Sequence, residues 1–219
     1  MASAISMAMA KLLIFGMGYT AARLAERLTA RGWDVTGTTR DGRGGTLRFD
    51  DDTAVLSALR GATHILSSVP PADGADPVLA RYGDAVALAP ARWTGYLSST
   101  GVYGDCGGAW VDESAPLNGR RPDRIAADRA WASLRGDMRV FRLPGIYGPG
   151  RSAIDRVCAG RAHRIDLPDQ IFSRVHVDDI YRAVIASFAG PPGTFNIADD
   201  LPCSQNRVIE AACDLIGAP

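Results

Sequence analysis

One stretch constrains this chain more than any other: Lys11 to Gly32, KLLIFGMGYTAARLAERLTARG. Four apolar residues, Leu12 to Phe15, have the length of a buried strand. Gly16-Met17-Gly18-Tyr19-Thr20-Ala21 follows, with the spacing GxGxxA. An amphipathic run comes next, with Leu24 and Leu28 on one helical face and Arg23, Glu26 and Arg27 off it. Gly32 stands where a helix C-cap belongs.

Strand, glycine turn and helix in that order fit one kind of chemistry. Gly16 permits the tight turn, and Gly18 lets backbone come close to a pyrophosphate. Small Ala21 lets helix pack on strand, and the first free N–H groups of the helix face an anion. Gly16, Gly18, Tyr19 and Thr20 are therefore candidate dinucleotide-binding residues. The plain alternative is a structural turn.

The second strand, Trp33 to Arg40, ends where an adenine ribose would lie. An acidic residue there bonds the 2′-hydroxyl of NAD, whereas arginine suits the 2′-phosphate of NADP. This chain has Thr39 and Arg40, with Arg43 close behind, so NADP is the expected cofactor and NAD the alternative. The plain reading of Arg40 is a solvated loop arginine.

Strands and helices then alternate. Thr46–Phe49 reads as a strand ending in Asp50, Thr53–Leu59 as a helix, and Thr63–Val69 as a strand closed by Pro70-Pro71. Val78–Leu88 reads as a helix, Thr94–Ser98 as a strand, Arg120–Leu134 as a helix and Arg139–Leu143 as a strand running into Pro144. This alternation predicts an α/β fold, a doubly wound parallel sheet with helices on both faces. Ligands in such sheets bind at the carboxyl ends of the strands, where Ser98 and Ser99 project hydroxyls. Residues 10–150 form the expected dinucleotide-binding core. Residues 151–219 form a partial substrate lobe that returns elements to it, including a strand over Ile171–Val177 and a helix capped by Asp178 and reaching Ala189. His64, opening a strand, reads as structural or exposed and not as a ligand.

Lysines and arginines number 24, as do acidic residues, so no general attraction to nucleic acid or a membrane surface is expected. The four cysteines lack CxxC spacing, which points to reduced thiols in a cytoplasmic protein and away from a zinc site. No stretch is apolar for long enough to span a bilayer. The leader MASAISMAMA has no basic residues before its apolar part and does not read as a signal peptide.

Six segments in order, GMGYTA, SSVPP, LSSTGVYG, FRLPGIYGPG, RVHVDD and FNIADD, resemble the extended short-chain dehydrogenase/reductases, the NAD(P)-dependent epimerase/dehydratase group, and in particular its atypical bacterial branch. The resemblance implies a Rossmann-like core, a redox dinucleotide, and a sugar nucleotide or small carbonyl compound as substrate, with a homodimer possible. It adds Asp50, Ser67, Ser68, Ser98 and Pro144 to the expected cofactor set and gives Ser99 the place of the family's catalytic serine. It also implies a tyrosine and a lysine four residues apart on the helix after the VYG loop. There a tyrosinate acts as base and the lysine charge lowers its pKa. Matching the acidic residue that follows to Asp128 puts Arg120 and Arg124 in those positions. Arginine is no base at physiological pH, but Arg124 still offers charge and donors to a ribose or phosphate. Tyr103 and Tyr147 are then the candidates to replace the phenol, and His176 reads as structural. The opposing readings are a catalytically impaired dinucleotide sensor and, more remotely, a scaffold that uses the fold alone.

Overall fold

The computed structural model describes residues 9–167 and 170–218, so most of the N-terminal leader lies outside the described residues. β1 (Lys11–Phe15) is followed by α1 (Tyr19–Thr29), β2 (Asp34–Thr39), β3 (Leu47–Arg48), α2 (Asp52–Gly61) and β4 (His64–Ser67). Then come α3 (Pro77–Ala87), β5 (Trp93–Ser99), α4 (Pro122–Leu134), β6 (Met138–Leu143) and β7 (Gly145–Tyr147). The chain closes with α5 (Ala153–Cys158), β8 (Arg174–His176), α6 (Val177–Ala186), β9 (Gly193–Asn196) and α7 (Gln205–Ile216).

Seven strands form one sheet in the order β3-β2-β1-β4-β5-β6-β9, with every pairing parallel. Parallel strands need crossovers, and the helices supply them on both faces. Leu13 and Phe15 face a core shared with Val55 and Leu59 of α2, Val78 and Tyr82 of α3, and Trp131 of α4. Leu12 and Ile14 face the other way, against Ala21, Leu24 and Leu28 of α1 and Ile180 and Val184 of α6. That two-sided burial is why the first strand reads as an unbroken apolar run and not as an alternation. Burying each of these aliphatic side chains contributes roughly 1.5–3 kcal/mol.

β1 lies between β2 and β4, so the strand order reverses there and opens a crevice at the carboxyl ends. The C-terminal segment returns to this core: β9 extends the sheet beside β6, and α6 packs beside α1. β7 and β8 form a separate parallel pair, and α5 packs on α7.

Three local expectations need correction. The helix expected over Arg120–Leu134 begins at Pro122. A residue before proline is disfavoured in helical geometry, so Arg121 is extended and Arg120 falls outside the helix. The strand expected over Ile171–Val177 is confined to Arg174–His176, and Phe172 makes only an isolated bridge to Cys203. His176, not Asp178, caps α6: its side chain accepts from the Asp178 N–H, and the helix ends at Ala186.

Candidate functional site at the carboxyl edge of the sheet

The β1–α1 turn is built from backbone. Gly16 has φ +84°, and a Cβ there would sit 2.8 Å from Val69 Cγ2, so conformation and space both require glycine. The Gly16 N–H donates to Thr38 Oγ1 at 3.2 Å and the Met17 N–H to the Thr38 carbonyl at 2.9 Å, tying the loop to β2. Gly18 is the N-cap of α1 in extended conformation, and a Cβ added to it would meet no atom within 4 Å. α1 has no side-chain cap and no acidic residue in its first turn. Its leading N–H groups and the positive end of its dipole thus meet no side-chain cap or first-turn acid of the helix itself. Tyr19 is half-buried and Thr20 buried at the first two helical positions.

At the end of β2, Thr39 and Arg40 divide their work. The Thr39 hydroxyl accepts from the Gly42 N–H at 3.0 Å and pairs with Thr46 Oγ1 at 2.7 Å, bracing the loop. Arg40 is exposed and has no ion pair among the described residues. Asp50, just past β3, is held by Arg48 through bonds of 3.0 and 2.9 Å, which keeps its carboxyl below the usual range. Ser68 is half-buried after β4, its N–H bonded to the Phe15 carbonyl at 2.8 Å. The Ser67 hydroxyl is fully buried with no partner among the described residues. Pro144 is half-buried directly after β6.

The β5–α4 side is organised around an ion pair. Arg142 on β6 meets Asp128 on α4 through bonds of 2.8 and 3.1 Å, both side chains buried. Ser98 donates its hydroxyl to Asp128 Oδ2 at 2.6 Å. Arg142 Nη1 donates to the Tyr103 hydroxyl at 2.8 Å and to the Glu113 carbonyl at 3.1 Å. Burial opposes the Arg142 charge, but its bonds to Asp128 and Tyr103 outweigh burial and raise its pKa above the ordinary value.

This network corrects the idea that Tyr103 stands in for the missing phenol. Tyr103 is buried, accepts from Arg142, and donates to Asn196 Oδ1 at 2.7 Å, so its hydroxyl is committed on both sides. Tyr147 fares no better as a base. Burial, then the charges of Asp199 and Asp179, push its phenol up, opposite to what a tyrosinate requires.

Ser99 caps a short 3-10 turn, Thr100–Val102, by accepting from the Gly101 N–H at 3.1 Å, which leaves its own proton free. Arg124 lies one helical turn before Asp128, on the same face of α4, half-buried and without an ion pair among the described residues. Arg120 is exposed in the segment before the helix, so the two arginines do not share a helix face. Sequence reasoning missed Arg142, Asn196 and Glu113. An arginine within the apolar strand MRVFRL was the available signal, because a buried guanidinium must find acceptors, whether an acid or backbone carbonyls.

No family model matches the chain. Protein YeeZ of Escherichia coli strain K12 is 31% identical over 244 aligned positions, covering 95% of this chain and 85% of that protein. A functionally unknown conserved protein from Silicibacter pomeroyi has a solved structure that matches with a TM-score of 0.88 and 42% identity, over 96% of this chain and 79% of that one. The UDP-glucose 4-epimerase of Thermus thermophilus, solved in complex with NAD, matches in fold with a TM-score of 0.74 and 19% identity, over 95% and 84% of the two chains. The chain belongs to the family of protein YeeZ, and what it shares with the NAD-bound epimerase is the fold.

Proposed function

We propose that this chain binds an NAD-type dinucleotide along the carboxyl edge of the sheet and acts as an epimerase/dehydratase-like oxidoreductase. The observation that carries the proposal is the β1–α1 turn: glycine-built, open outside Gly18, and followed by a helix end with no cap of its own. The likeness in fold to an epimerase solved with NAD supports it. NADP(H) is favoured over NAD(H), because Arg40, with no ion pair among the described residues, stands at the end of β2 where an acid would select NAD. Gly16, Gly18, Tyr19 and Thr20 would hold the diphosphate, Arg40 the ribose phosphate, and Ser68 and Pro144 the nicotinamide half.

The bound nicotinamide would supply or accept hydride. The chain's part is to orient the reacting carbon and handle its proton. Ser99 offers a free hydroxyl to a substrate oxygen, and Arg124 offers charge and donors to a ribose or phosphate. A sugar nucleotide or a small carbonyl compound is the proposed substrate, with residues 151–219 as a partial substrate lobe. Among the described residues no helix is long and apolar enough to cross a membrane, and the four cysteines are free. We place the protein in the cytoplasm on that cysteine chemistry.

A second reading, a dinucleotide sensor without turnover, is favoured by one observation. α4 carries neither tyrosine nor lysine, and the nearby Tyr103 hydroxyl is closed in a network. A positioned acid/base group contributes roughly 10²–10⁴ in rate. The two readings part in one assay: NADPH with a panel of carbonyl and sugar-nucleotide substrates, followed at the nicotinamide absorbance. Turnover that survives Tyr103→Phe supports the enzyme with another proton donor. Tight NADPH binding with no turnover supports the sensor. Failure to bind any dinucleotide overturns both.

A further inference from the structure

The loop between β5 and α4 has a fixed base and a tip without ties. The Gly119 N–H donates to the Val102 carbonyl at 2.9 Å and the Asn118 N–H to the Tyr103 carbonyl at 3.3 Å. A Cβ at Gly104 would lie 2.6 Å from the Asn118 carbonyl oxygen, so the two ends of the loop are pinched together. Glu113 fastens the returning limb. Its carbonyl accepts from Arg142 Nη1 at 3.1 Å and its carboxylate from the Asn196 N–H at 2.7 Å. Arg142 lies near the carboxyl end of β6 and Asn196 ends β9. The loop therefore crosses the carboxyl edge of the sheet, the edge at which β5 ends in Ser99.

Among the described residues, the hydrogen bonds of the tip, 105–112, all stay within 104–115. Gly107 and Gly108 are consecutive left-handed residues, φ +61° and +77°, a conformation that side chains resist and a place where the chain can turn. Trp110 follows, 78% exposed, with Val111 exposed beside it. The other three tryptophans, Trp33, Trp93 and Trp131, each pack on an aromatic ring. Three residues span at most about 10 Å, so Trp110 lies close to where Glu113 crosses β6 and β9. The stretch from Asp105 to Asn118 holds three acids, Asp105, Asp112 and Glu113, and no lysine, arginine or histidine. Such a surface repels phosphate. It suits an uncharged ring, whose apolar face an indole covers and whose hydroxyls donate to carboxylates.

We propose that residues 105–112 are a flap that closes over the substrate held beside Ser99, laying Trp110 on an uncharged, hydroxyl-bearing ring of that substrate. The inference rests on the reading above of a dinucleotide-dependent substrate site at this edge. It adds a moving part and a contact residue that lie outside the motifs. Glu113 is the fixed point: its bonds to Arg142 and Asn196 hold the base on the buried network while Gly107 and Gly108 let the indole swing. Closing takes indole surface out of water and dries the reacting carbon. The flap answers to the substrate and not to the dinucleotide alone, because it is anchored at β6 and β9, across the sheet from β1 and β2.

The test is acrylamide quenching of tryptophan fluorescence in the full chain, with hydrogen exchange across 105–112. Parent and Trp110→Phe are compared with NADP⁺ alone and with NADP⁺ plus UDP-glucose, dTDP-glucose or GDP-mannose, each beside its bare nucleoside diphosphate. The signal missing from Trp110→Phe belongs to Trp110. It should be readily quenched in the free protein and with NADP⁺, and protected several-fold once a nucleotide sugar binds, with exchange across 105–112 slowed in step. The bare diphosphate should do neither. Trp110→Ala should weaken that nucleotide sugar about tenfold in calorimetry. NADP⁺ affinity and the melting temperature should not change, since the indole is exposed in the free protein. A Trp110 that stays open to acrylamide with all three nucleotide sugars overturns the inference, and the dinucleotide reading then stands on NADP⁺ binding. Equal protection by the bare diphosphate overturns it as well, and so does protection of Trp110 without slowed exchange, which would make the indole a fixed platform. A parent that binds no NADP⁺ overturns the dinucleotide reading itself, and this inference with it.

Discussion

The two halves of the sheet's carboxyl edge are finished in opposite ways. At β1–α1 the polar groups are left open, with an uncapped helix and a glycine with empty space outside it, and at the end of β2 Arg40 has no ion pair among the described residues. At β5–α4 the polar groups close on one another: Ser98 on Asp128, Asp128 on Arg142, Arg142 on Tyr103, and Tyr103 on Asn196. Unsatisfied donors at a surface crevice are what a ligand completes, whereas a closed buried network rigidifies and leaves nothing over. The contrast teaches that the polar groups at β1–α1 remain available to a ligand while those around α4 are spent on one another. α4 itself carries neither a tyrosine nor a lysine.

The largest effect expected from breaking that contrast is on stability. Asp128→Ala leaves Arg142 buried and unpaired, which should cost about 3–5 kcal/mol in urea unfolding. A loss below about 1 kcal/mol would mean that the network does not organise the α4 side.

A pH effect at the other end of the same strands separates stability from binding. His64, at the amino end of β4, packs against Trp33 and Phe188 with ring centroids 4.7 and 4.8 Å away. Burial, with smaller contributions from Arg92 and Arg139, lowers its pKa from 6.5 to about 4. Between those values the unfolded chain takes up a proton that the folded chain refuses. Stability should therefore fall as pH drops through that window, by about 3 kcal/mol in total. His64→Gln should flatten this dependence. Equal slopes in the two proteins would show that His64 titrates normally in the folded state.

On the open side, Arg40→Ala should weaken NADP(H) by roughly 1.5–3 kcal/mol, about ten- to a hundredfold, and barely change NAD(H). Equal affinity of the parent for the two cofactors would remove Arg40 from the site. The smallest effect sharpens the closed side. Tyr103→Phe deletes one hydroxyl from the network and should cost roughly 0.5–1.5 kcal/mol of stability with no change in any turnover the parent shows. A fall of a hundredfold or more in rate would return Tyr103 to the chemistry.

How much of this was legible in the sequence follows the same divide. The open half was readable because its signals are local. GMGYTA between an apolar run and an amphipathic one gave strand, turn and helix in place, and Thr39-Arg40 followed at the expected distance. The closed half depends on contacts between distant residues. Asp128 and Arg142 are 14 positions apart, and Tyr103 and Asn196 are 93 apart. No spacing rule links such pairs. Tyr103 read as a loop phenol of the VYG segment because its partners sit on β6 and β9. The start of α4 was misread despite a local signal, since Pro122 disfavours a helix running back to Arg120. His176 was hidden because histidine is an uncommon N-cap beside two aspartates that suit the position better.

The central claim is that a dinucleotide meets backbone at Gly18. Its most direct test is calorimetric titration of NADPH and NADH into the parent and into Gly18→Val, with melting curves of both proteins. Gly18 has ordinary extended dihedrals and open space around its Cβ position, so valine should fold there without strain. The account predicts that the parent binds NADPH, that Gly18→Val melts as the parent does, and that it binds neither nucleotide. A Gly18→Val protein that binds NADPH as tightly as the parent would contradict it.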